Sequence, residues 1–239
     1  MNFNSIFIFI LGIIFSGCQM DGMKNNDAGE SAQGFLPGIF TSGSKQPEYK
    51  EPMDYAAWVQ DTLNGLFVDR IVDGVGYSVQ YKPISYVMLQ DLGLEGVKKH
   101  KMDSLYSNYS GYQYITLKIK NLSSNKELLK FRVSSEQEYQ NRIYYCSFNI
   151  PQDIILVSGN DTLTCVTHLF ERVYGIAPEA TFLFAFDMPE EERIALKTKK
   201  DFNYEDKTII LRDRLFQNGI IKFTISKEAL NNMPELQVK

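Results

Sequence analysis

The sequence predicts a mainly β protein: an antiparallel β-sandwich, for which an immunoglobulin-like outline is one fitting topology, with one or two short helices toward its N-terminal side. Three observations point there. Tyr77, Val79 and Tyr81 alternate with Ser78, Gln80 and Lys82, and Ile115, Leu117 and Ile119 alternate with Thr116, Lys118 and Lys120. The same period of two recurs in Phe182, Phe184 and Phe186 and in Ile221, Phe223 and Ile225, so each segment buries one face and wets the other. About eight short runs of this kind are separated by turn residues, the spacing expected of a Greek-key arrangement. No alternation of strand and helix patterns suggests a nucleotide-binding βαβ fold, and no repeat of roughly 20 to 50 residues suggests a propeller or solenoid.

Taken in chain order, the first element is a leader. Residues Ile6 to Phe15 are apolar apart from Gly12, and no charged side chain precedes Asp21. A ten-residue run covers about half of a bilayer core that needs about 20 helical residues, so it reads as a signal-peptide core rather than a span. Phe15, Ser16, Gly17 and Cys18 follow it, and this tetrapeptide resembles the lipobox of bacterial lipoproteins. The resemblance covers the leader alone. It implies that residues 1–17 are removed and that Cys18, acylated with palmitate-type chains, becomes the first residue and the membrane anchor. In that family an Asp after the lipidated Cys signals inner-membrane retention, and Gln19 stands there, which implies the outer membrane.

Residues 18–52 are dominated by Gly, Ser, Asn, Gln, Asp, Lys and Pro and are expected to form a tether reaching about 30 Å as a flexible coil. A small apolar island at Phe35, Leu36, Ile39 and Phe40 is either a docking motif or a segment that packs back on the body. Residues 53–239 form the single expected globular domain. Asp54 is placed to cap a helix carrying Val59, Leu63, Leu66 and Phe67, ended by Asn64 and Gly65. The run from Ile84 to Leu89 fits either a helix after Pro83 or a continuation of the preceding strand. Further strands are expected at 141–150, 153–158, 162–170 and 207–213, with Ser158, Gly159, Asn160 and Asp161 as a hairpin turn. Single helical turns are expected at Asp187 to Glu192 and at Ser226 to Asn232.

Function is less legible. The 239 residues carry 25 Lys and Arg against 29 Asp and Glu, a net charge of −4. That balance lacks the basic field of a nucleic-acid binder. No Gly-x-Ser-x-Gly, Walker A or Gly-x-Gly-x-x-Gly motif occurs, so no catalytic residue is assigned. Acidic residues at Asp187, Glu190 to Glu192, Asp201, Glu205 and Asp206 fit solvated turns as well as a carboxylate pair. His100 lies in the basic run Lys98 to Lys101 and His168 on a strand, without metal-ligand spacing, so neither metal nor cofactor is expected. Cys146 and Cys165 lie on expected strands, as a disulfide or as two free thiols.

The high aromatic content, 14 Tyr and 16 Phe, is the outstanding feature. Tyr106, Tyr109, Tyr112 and Tyr114 fall within nine residues and are the candidate binding surface for a protein or glycan. These readings converge on a non-enzymatic cell-envelope lipoprotein that binds another envelope protein as an accessory or scaffold subunit. The alternative is a surface module for glycans or small molecules.

Overall fold

The computed structural model describes residues 48–172, 177–198 and 202–238. Eight strands form one sheet: β2 (Phe67–Val72), β3 (Val75–Lys82), β4 (Tyr112–Asn121), β5 (Ile154–Ser158), β6 (Asp161–Glu171), β7 (Glu179–Asp187), β8 (Lys207–Asp213) and β9 (Gly219–Ile225). Their order across the sheet is β2-β3-β4-β7-β6-β5-β8-β9, and every neighbouring pair is antiparallel. The expectation of a mainly β, antiparallel chain is met. The sandwich is not: there is no second large sheet among the described residues, and the single sheet curls until β2 and β9 lie side by side in a nearly closed barrel.

Closure follows from the inner faces. Val75, Tyr77, Val79 and Tyr81 of β3, Ile115, Leu117 and Ile119 of β4, and Phe182, Phe184 and Phe186 of β7 share one core with Ile209 and Leu211 of β8 and Ile221, Phe223 and Ile225 of β9. Eight strands enclose a volume that such side chains just fill. Burying each is worth about 1.5 to 3 kcal/mol. The turn at β6 is made by a register shift between Cys165 and Thr167, a bulge that lets the strand pair first with β5 and then with β7. Along β6 and β7 the rings of Phe170, Phe182, Phe184 and His168 form a stacked column with centroid spacings of 5.0 to 5.9 Å.

The helices exceed the one or two expected. Helix α1 (Pro52–Gln60), α2 (Ile84–Leu92) and α3 (Lys99–Tyr109) bury Tyr55, Val59, Tyr86, Leu89 and Met102 on the outer face of the sheet, against Tyr114 of β4 and Ala185 of β7. The segment from Ile84 is thus helical rather than a continued strand. Helix α4 (Glu136–Tyr144) runs on as a π turn at Tyr145–Asn149 and a 3-10 turn at Ile150–Asp153. It replaces the strand expected at 141–150. Ser135 caps it, its hydroxyl accepting from the Glu138 amide, and Cys146 and Ile150 are buried in the barrel core.

The strand directions define two ends. The lower end holds the β2–β3 turn, the exits of β4, β6 and β8, and the connection through α4. There the Asp213 carboxylate accepts from the amides of Leu215, Phe216 and Asn218 and from the Tyr77 hydroxyl at 2.7 Å. The upper end holds α5 (Glu190–Thr198) and α6 (Lys227–Asn231), where single turns were expected. A separate parallel pair joins β1 (Glu48–Tyr49) to β10 (Glu235–Leu236), with Gln237 N–H donating to Tyr49 O at 2.8 Å. Residues 48–52, assigned to the tether by composition, therefore belong to the folded body.

Candidate functional site

The barrel is closed by side chains where a ladder is missing. β2 and β9 are the two ends of the sheet order, and no backbone ladder joins them. At the lower end of this seam Asn218, between β8 and β9, donates from Nδ2 to Val72 O of β2 at 3.4 Å and to the Tyr77 hydroxyl at 2.8 Å. Ile71 and Ile220, one and two residues from that tie, flank the seam. Ile71 pairs in register with Gly76 and so lies on the outer face, because Val75 and Tyr77 point inward. Ile220 precedes the inward Ile221 and is likewise outside.

The two isoleucines are 73% and 63% exposed. Gly76 adds no side chain between them and Leu122, which packs over the glycine so closely that a Cβ there would lie 3.3 Å from Leu122 Cδ1. Leu122 is itself exposed, so Ile71, Leu122 and Ile220 are exposed apolar side chains near two strand edges that share no backbone ladder. The lower rim adds the Asp73–Arg132 ion pair. Edge strands of this kind offer main-chain hydrogen bonds to an added strand, and flanking apolar side chains supply the contact area. A second exposed apolar feature is the ring pair of Tyr144 and Phe148, 5.1 Å apart on α4 and its π extension.

The upper end is polar and closed. Lys207 Nζ lies 2.9 Å from Glu192 Oε2 and 3.3 Å from Ser158 Oγ, with the Tyr81 and Tyr204 rings at 5.8 and 5.5 Å. Burial lowers the Lys207 pKa, opposed by the charge and hydrogen bond of Glu192. Burial likewise raises the Tyr81 hydroxyl, and the Glu192 charge adds to it.

The residues singled out by sequence are placed as follows. Cys18 lies outside the described residues, as do the Phe35 to Phe40 island and Asp201. Cys146 and Cys165 are free thiols rather than a disulfide. Cys165 Sγ donates to Thr167 O, and the Cys146 carbonyl is bonded to His168 Nε2 at 3.0 Å. The four tyrosines do not form one exposed row. Tyr109 and Tyr114 are buried between α3 and β4, while Tyr106 and Tyr112 are half-buried beside them. Their hydroxyls are used internally: Tyr109 donates to Asp91 Oδ2 at 2.9 Å and Tyr114 to Tyr109 O at 3.4 Å. Of the acidic residues, Glu192 turns inward to Lys207, whereas Asp187, Glu190, Glu191, Glu205 and Asp206 are exposed.

Ile71, Leu122, Ile220, Tyr144 and Phe148 went unmarked in the sequence. Asp73-Gly74 was the available signal for the first of them, since Asp-Gly between alternating runs marks a hairpin and would have revealed β2. Among the described residues no three of His, Cys, Asp and Glu converge as metal ligands, and no helix is long and apolar enough to cross a membrane. Comparisons with family models, curated proteins and solved structures find nothing that matches this chain.

Proposed function

We propose that the protein is an accessory or scaffold subunit of the bacterial cell envelope, anchored to the outer membrane through acyl chains on Cys18, that binds another envelope protein along the β2–β9 seam without catalysing a reaction. The observation that carries this reading is the seam itself: two strand edges without a mutual ladder, bordered by Ile71 and Ile220, which are among the most exposed large apolar side chains. Lipid anchoring supports it mechanically, because confinement to a surface raises the effective concentration of a membrane partner without requiring high affinity.

The test is affinity purification of the carboxy-terminally tagged protein from its host in mild detergent, followed by mass spectrometry. Cys18→Ser and Ile71→Lys/Ile220→Lys versions run in parallel. A stoichiometric envelope protein recovered with the native chain and lost with both variants is the expected result. Recovery that is indifferent to the seam variant overturns the docking surface, and a native chain that comes out alone overturns the subunit reading. The glycan-binding alternative draws on Tyr144 and Phe148, whose exposed paired rings offer a stacking surface. Glycan-array binding abolished by Tyr144→Ala would favour it instead.

A further inference from the structure

Lys207 opens β8 and its side chain turns into the upper mouth of the barrel, where it is 0% exposed. A lone ammonium in such a place is costly, and one carboxylate answers it. That carboxylate does not come from the barrel wall. It is carried by α5, a nine-residue helix in which Glu192 and Ala195 are buried and Leu196 is half-buried, while Ile194 faces solvent. A charged side chain is thus one of the two fully buried anchors of the helix. Its fit is also incomplete: Glu192 Oε2 meets Lys207, but the buried Oε1 receives no hydrogen bond. A buried acceptor left without a donor loses its solvation with nothing in return.

We propose that Lys207, the Ser158 hydroxyl and the rings of Tyr81 and Tyr204 form a carboxylate-binding site in the mouth of the barrel, occupied in cis by Glu192, and that a small free carboxylate exchanges with it and releases α5. The wall contributes the cation from β8, the hydroxyl from the end of β5 and one ring from the end of β3, so the site stands on rigid strands while its occupant stands on a lightly seated helix. A ligand that satisfies both of its oxygens recovers the bond that Glu192 forgoes. Because a tethered group competes at a millimolar effective concentration, the native chain binds weakly and the chain lacking Glu192 binds readily.

The experiment uses the full chain with Glu192→Ala, alone and combined with Lys207→Met, in sodium acetate or propionate at about 100 mM, well above that effective concentration. Sodium chloride at equal ionic strength is the control. Glu192→Ala is expected to lower Tm, with acetate restoring at least half of the loss, chloride restoring none, and the double variant giving no response. Should Glu192→Ala fail to fold in chloride, a cooperative transition regained in acetate is the same positive result. In the native chain acetate should speed hydrogen exchange of the α5 amides and leave β4 unchanged. Absence of any acetate-specific rescue, or equal rescue of the double variant, overturns the proposal, as does native α5 exchange indifferent to acetate.

Discussion

Cys146 and Cys165 sit where a thiolate is disfavoured, since burial pushes each thiol up to about 12. In a Cys18→Ser chain, a thiol-specific chromogenic reagent at pH 8 should leave the buried Cys146 unlabelled and the half-buried Cys165 only slowly labelled in native buffer, and should label both at full rate in denaturant. Labelling of either at full rate in native buffer would contradict the burial. His168 is a half-buried ring whose neutral form is favoured. Its Nε2–H donates to the Cys146 carbonyl, its face stacks on Phe184, and burial lowers its pKa from 6.5, only partly opposed by that hydrogen bond. The unfolded chain therefore takes up the proton first. The stabilisation is full above pH about 6.5 and is lost as pH falls through that value toward the lowered folded pKa. Urea unfolding of the native chain and of His168→Phe at several pH values between about 7.5 and 5 should show a shallower decline for the variant. None of this was legible in the sequence, where His168 was one polar residue on a strand. The bulge that directs it inward, and the carbonyl that accepts its hydrogen bond, are both tertiary.

At the scale of elements, the strands were legible and the helices mostly were not. Alternation marks β3, β4, β7 and β9 because one face of each is buried in the barrel core. Helix α4 broke the rule: Tyr144, Tyr145 and Cys146 combine β-favouring types in a segment whose fate is set by the Ser135 cap and by burial of Cys146 and Ile150 against the barrel. The Ser135-x-x-Glu138 pattern is the sequence feature that marks this helix start. The tyrosine cluster spans α3 and the start of β4, which pack on each other instead of presenting one surface. Connections can be tested more directly. Gly65, between α1 and β2, has φ +84°, and a Cβ there would lie 2.7 Å from the Ala229 Cβ of α6. Gly96 has φ +65° with open space around it. Left-handed backbone costs a side chain about 1 kcal/mol at either site, and the crowding at Gly65 adds about 1 to 3 kcal/mol. Chemical denaturation should therefore find Gly65→Ala clearly less stable than Gly96→Ala, whereas equal losses would mean that α6 yields freely.

For the molecule as a whole, a period of two states that a strand has one buried face but not what that face meets. A second sheet and the far side of the same sheet satisfy it equally, so sandwich and barrel are indistinguishable in the alternation of β3 or β9. The choice lies in curvature, here the bulge at Cys165 to Thr167 and the shortness of β5, which leaves the lower part of β6 to be covered by the turns after α4. The candidate seam was invisible for the same reason, since an edge exists only once the strand order is known. Hydrogen exchange checks that order: β4 and β7, laddered on both sides and covered by helices, should exchange last. Amides on the seam side of β2 and β9 should be at least about tenfold less protected, a difference of about 1.4 kcal/mol in opening free energy. Uniform protection would mean a fully laddered, closed barrel. The clasp between β1 and β10 has a mechanical reading. Among the described residues, the two-residue parallel pair of Glu48 and Tyr49 is the first to meet a load pulling from the N-terminal side. Peeling Glu48 and Tyr49 away releases about 7 Å of chain and leaves α1 held by Tyr55 and Val59, so the clasp gives way as a fuse before any strand of the barrel bears force.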